Sequence, residues 1–139
     1  MRTHIAKGAR QGRRGASLIE FSLVFVLFIL IIAGLVELGR GVWAFTTIAH
    51  ATRQGVRFAQ TRGSANPPTA DQVRDAVRNA AVGLDRSLVT VTTTWPGGVT
   101  RGELVTVRAT YPFDLVTTGF VIRQSSITLA ASSRAIIAN

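Results

Sequence analysis

Sixteen consecutive residues, Phe21 to Val36 (FSLVFVLFILIIAGLV), carry no charge and a single hydroxyl. As an α-helix they rise about 24 Å. Leu18, Ile19 and Leu38 lengthen the apolar stretch toward the ~30 Å of a bilayer's hydrocarbon core. A helix that is apolar all round has no face to offer water, so it needs either a deep protein core or lipid. A chain of 139 residues builds too small a core to enclose it. The chain is therefore predicted to cross a membrane once.

Charge sets the expected direction. The chain has 16 Lys and Arg against 7 Asp and Glu, a net +9. Such an excess raises nucleic-acid binding, but its distribution argues against it. Arg2, Lys7, Arg10, Arg13 and Arg14 place five positive charges and no acid in the first 15 residues, and the remainder carries only +4. No basic stripe interleaved with aromatics follows, so no nucleic-acid partner is expected. A basic cluster ahead of a single span stays cytoplasmic and sends the C-terminal part across. Trp43 suits the outer interface, and Glu37 and Arg40, at i and i+3, are spaced to pair where the helix leaves the lipid. A cleaved secretory signal is the alternative, with Ala49-His50-Ala51 as its A-x-A site. Against it, the site lies about 13 residues past the apolar run, too far for a signal of that kind.

Leader and apolar run meet at Arg13-Arg14-Gly15-Ala16-Ser17-Leu18-Ile19-Glu20-Phe21. A carboxylate at the edge of such a run is costly in lipid and calls for a partner. The plainer reading is that Glu20 snorkels to the headgroups.

This junction resembles the processing signal of type IV prepilins, and in particular the TadE-like pseudopilins of tight-adherence (Tad/Flp) pilus systems. That family has a basic leader ending in Gly, four residues, then Glu-Phe and a hydrophobic helix. Gly15, Ala16 to Ile19, and Glu20-Phe21 match it, as do Glu37 at the end of the span and Gly55-Val56-Arg57 within ATRQGVRFA. The resemblance covers residues 10 to 60 well and the remainder in outline. It implies that a membrane-embedded prepilin peptidase cuts between Gly15 and Ala16, and that the new α-ammonium of Ala16 pairs with Glu20 of its own or a neighbouring subunit. It also implies a structural subunit, a minor pseudopilin, whose partners are the peptidase, other pilins or pseudopilins, the pilus assembly platform and the lipid bilayer. The expected location is the inner (cytoplasmic) membrane, with the N-terminus cytoplasmic and the head periplasmic or extracellular, and after assembly the pilus. An uncleaved, single-pass adaptor or binding module outside the cytoplasm is the alternative.

No proline occurs between Ala16 and Asn66. Val42, Phe45, Ala49, Thr52, Val56 and Ala59 recur at helical spacing, so one helix is predicted from about Ser17 to Thr61. Gly34, Gly39, Gly41 and Gly55 lower its propensity. Gly39 and Gly41 leave open a kink near the interface. Arg62 to Thr69 reads as a linker. Thr69-Ala70-Asp71-Gln72 is a capping box, opening a second helix with Val73, Ala76, Val77 and Ala80 on one face and Gly83 as its stop. Val89, Val91, Thr93 and Trp95 alternate with threonines, and Pro96-Gly97-Gly98 turns the chain toward Val105, Val107, Ala109 and Tyr111. Pro112 is expected to end that strand, and Phe113 to Gln124 to be irregular. A third strand is predicted over Ser126 to Ile136, with Ile127, Leu129 and Ala131 inward. The fold class is α+β: a long N-terminal transmembrane helix continuing into a small head with one short helix and a three-stranded antiparallel sheet. Its divisions are a basic prepilin-type leader (1–15), transmembrane and extended helix (16–61), linker (62–69) and extracytoplasmic head (70–139). Three strands alone cover too little, so the upper helix is expected to complete the core.

Catalysis finds few residues to work with. The chain has no cysteine, and its histidines are His4, in the leader, and His50, on the long helix. The head's acids are Asp71, Asp75, Asp85, Glu103 and Asp114. Asp71 and Asp75 sit beside Arg74 and Arg78 on a solvated helix face. No phosphate loop or nucleophile elbow appears. His50 reads as a surface or packing residue, and Trp95 and Tyr111 as sheet core. No enzyme activity, catalytic residue, metal site or cofactor is expected.

Overall fold

The computed structural model describes residues 8–62, 66–116 and 126–138, with side chains from residue 15 onward. Leader residues 1–7, linker residues 63–65 and most of the expected irregular connection, 117–125, lie outside the described residues. The order of elements is α1 (Gly8–Arg62), α2 (Ala70–Ala80), β1 (Thr90–Thr94), β2 (Leu104–Asp114) and β3 (Ser126–Ile136). The α+β class and each predicted element are present. Contacts divide the chain into Met1–Val36 and a head unit, Glu37–Asn139.

Helix α1 begins at Gly8, well before the predicted Ser17. The reason is local. Ala9, Arg10, Gln11, Arg13 and Arg14 are good helix formers and no proline intervenes, so glycines 8, 12 and 15 weaken the turn without breaking it. In the first unit the side chains from Leu18 to Val36 stand exposed. The Ser22 hydroxyl donates to the Leu18 carbonyl at 2.7 Å, so the one hydroxyl of the apolar run is satisfied within its own helix. Phe21 and Phe25 stack one turn apart, with ring centroids 6.0 Å apart.

The head unit is an antiparallel meander, β1-β2-β3, on whose inner face α2 and the upper part of α1 pack. Register places Val91 opposite Ala109 and Thr93 opposite Val107. It places Val105 opposite Ala135, Ala109 opposite Ala131 and Tyr111 opposite Leu129. One face is thus apolar, and its buried members join Ile48, Ala51, Val56 and Ala59 of α1 with Val73 and Val77 of α2. Each fully buried valine stabilises the head by roughly 1.5–3 kcal/mol. Thr52, also buried, donates its hydroxyl to the Ile48 carbonyl at 2.7 Å.

The capping box of α2 is complete. Gln72 N donates to Thr69 Oγ1 at 3.3 Å, and Thr69 N donates to Gln72 Oε1 at 3.2 Å. Gly83 follows the helix with a φ of 81°, a left-handed conformation suited to glycine. At Gly55 the approach of α2 to α1 is so close that a Cβ would collide with Val77 Cγ2.

One expectation is corrected, and three apolar side chains are less covered than their neighbours. Pro112 does not end β2 but pairs with Thr128 inside it. Strand β1 stops pairing at Thr110, so at Pro112 that side of β2 is a local edge, where a missing N–H costs no ladder bond. Val42 and Phe45 do not face the core. The buried stripe of α1 is Glu37, Ala44, Ile48, Ala51, Thr52, Val56 and Ala59, and the two larger side chains stand half-exposed beside it. Ile127 lies on the inner face opposite Phe113 but remains 40% exposed at the end of the sheet.

Candidate functional site

Two groups of residues were singled out by sequence. The first lies on the first unit of α1. Gly15, Ala16, Glu20 and Phe21 are all helical and exposed. Ala16 and Glu20 are i and i+4, so they share one helix face, one turn apart. Among the described residues no side chain pairs with Glu20. Gly15 has nothing within 4 Å of where a Cβ would stand, so no packing within the chain requires glycine there.

The second group is Glu37 and Arg40, in the head unit. Arg40 Nη1 lies 3.1 Å from Glu37 Oε1. Glu37 is only 7% exposed, and the same carboxylate oxygen accepts the backbone N–H of Val116 at 3.2 Å. The arginine's guanidinium sits over the Phe113 ring, 5.2 Å from its centroid. A buried carboxylate is tolerable because a cation and a backbone donor both serve it. The ion pair itself contributes little, since Arg40 is half-exposed. The hydrogen bond to the charged acceptor is worth more, about 1.5–3 kcal/mol, and it ties the segment after β2 to the helix.

Sequence reasoning missed Val116 and Phe113, because contacts 79 residues apart leave no mark in local pattern. It also missed the reason for glycine at position 55, which is packing against α2. A shallow cleft beside Arg40, lined by Trp43, Gly83, Leu84, Tyr111 and Phe113, holds about 240 Å³. That is below the size of ordinary small-molecule sites. Trp95 and Tyr111 are half-buried against the core, and His50 is exposed. Among the described residues no three His, Cys, Asp or Glu side chains come together as a metal site.

Among the described residues one helix is long and apolar enough to cross a membrane, and it lies near the N-terminus. Fold and site thus define a chain with one N-terminal membrane-length helix and a small α+β head. A family model described as TadE-like protein matches residues 15–57. Over this stretch, under a third of the chain, the protein is similar to that family. No curated protein and no solved structure matches the chain.

Proposed function

We propose that this protein is a minor pseudopilin, a structural subunit for assembly of a tight-adherence pilus. A prepilin peptidase removes residues 1–15, and the mature subunit packs through its N-terminal helix with other pilins or pseudopilins at the assembly platform. The observation that carries this reading is the junction itself. Gly15, Ala16 and Glu20-Phe21 open an exposed apolar helix, and the TadE-like match begins at Gly15. Cleavage removes five cationic side chains and leaves an ammonium on Ala16. Ala16 lies about 6 Å along the axis from Glu20, so pairing within a subunit or with a neighbour offsets the cost of a carboxylate in a low-dielectric layer. Subunits then register by charge as well as by apolar contact. In this reading the anchor sits in the cytoplasmic membrane, leader inside and head outside.

The helical conformation through Gly15 and Ala16 favours a second reading, a permanently anchored and uncleaved adaptor, since a peptidase takes its substrate extended. Intact mass of the membrane-extracted protein separates the two. A chain beginning at Ala16 supports the pseudopilin, and one retaining residues 2–15 supports the adaptor.

A further inference from the structure

The residues of the head unit nearest Glu37 to Trp43 form an apolar rim. Gly83 abuts the Trp43 ring, where a Cβ would come within 2.8 Å, and its neighbour Val82 is 70% exposed. Phe113 lies against Gly41, and its strand partner Ile127 is uncovered. Val116, whose N–H binds Glu37, is 62% exposed. Three separate chain segments therefore bring an apolar side chain to the same end of the head. At the other end, the turn from β1 to β2 (Pro96 to Glu103) carries Thr100, Arg101 and Glu103 among its glycines, and the exposed apolar side chains there are the paired Leu104 and Ile136 of the strand ends.

The helix at this level has the same character. Leu38, Val42, Trp43 and Phe45 are exposed, and the Thr46 hydroxyl donates to the Trp43 carbonyl at 2.9 Å. Glu37 is turned to the head and paired with Arg40, whose side chain is half-exposed.

Length is consistent with that. From Leu18 to Leu38 the apolar stretch rises about 31 Å, the span of the ~30 Å hydrocarbon core. An interfacial layer adds about 5–8 Å on each side. Residues 39–45 rise about 10 Å, which crosses the outer one. We propose that the rim formed by Trp43, Val82, Val116 and Ile127 is seated in the outer interfacial layer of the bilayer. Glu37 then lies below the water surface, sheltered by the segment after β2, and Arg40 faces the lipid phosphates. The partner is the phospholipid surface, and the inference rests on the reading of α1 as a membrane anchor.

The absence of cysteine makes the test direct. Val82→Cys, Val116→Cys, Leu27→Cys and Thr100→Cys are each labelled with a polarity-sensitive nitrobenzoxadiazole dye. The full chain is reconstituted alone in phosphatidylcholine–phosphatidylglycerol vesicles containing lipids with a nitroxide near the headgroup or deep in the acyl chain. The expected result is blue-shifted emission at 82 and 116, quenched several-fold more by the shallow nitroxide than at Thr100, with Leu27 quenched by the deep one. Positions 82 and 116 behaving as Thr100 does, while Leu27 is quenched, overturns the rim proposal and leaves the anchor standing. An unquenched Leu27 removes the anchor and the rim together.

Discussion

Gly55 shows how much one missing side chain decides. Its Cβ position is occupied by Val77, so Gly55→Val forces α2 away from α1 and should cost about 1–3 kcal/mol. A lower midpoint of thermal unfolding, followed by near-ultraviolet circular dichroism in detergent, measures it. An unchanged midpoint means the two helices do not meet there. In the sequence, Gly55 stood out only within the segment that resembles the TadE-like family, and nothing local pointed to Val77. Asp85 is a second case. Its carboxylate accepts the Ser87 hydroxyl at 2.6 Å and the Ser87 N–H at 2.9 Å. These bonds, the hydroxyl's first, hold its pKa below the ordinary 3.8. A depressed carboxyl stabilises the fold above its unfolded value, and the contribution vanishes as pH falls through the folded one. Hydrogen exchange at the Ser87 amide should therefore lose protection on acidification below about pH 4, and Asp85→Ala should abolish that dependence.

The elements differ in how plainly the chain announced them. Helix α2 and its capping box were legible because both halves of the box lie within four residues. At 11 residues the helix is too short to stand alone, so its cap matters. Thr69→Ala should cost about 1 kcal/mol, read as the same thermal shift, and Thr69→Ser should restore it. Strand β3 was legible to the residue, and β1 and β2 from alternation of valine and threonine. The error at Pro112 came from treating β2 as central along its whole length, when its partner β1 is only five residues long. The exposure of Val42 and Phe45 has a different origin. Apolar periodicity assumes that water lies outside, and near a membrane-length helix that assumption fails. Small residues, Ala44, Ala51, Gly55 and Ala59, face inward where the elements approach closely, while Val42 and Phe45 point away.

At the scale of the whole molecule, the candidate site was legible as a motif and opaque as a geometry. The spacing from Gly15 to Glu20 is local, whereas the bond from Val116 to Glu37 depends on the folded head. The proposed assembly role predicts that Glu20→Ala inserts normally but fails to enter a pilus, as counted by subunit content of sheared filaments. Normal incorporation would defeat the pairing. Gly15→Leu should accumulate the longer precursor on immunoblots, and ordinary processing of that variant would place the cut elsewhere. The course of α1 through this junction carries a kinetic consequence. In a helix the amide linking Gly15 to Ala16 is held by hydrogen bonds on both sides, so the proposed hydrolysis must wait for a turn to melt. Glycines 12 and 15 each disfavour that turn by about 1 kcal/mol relative to alanine. Maturation would then scale with the fraction of precursor whose junction is frayed, a fraction that the leader's own glycines raise.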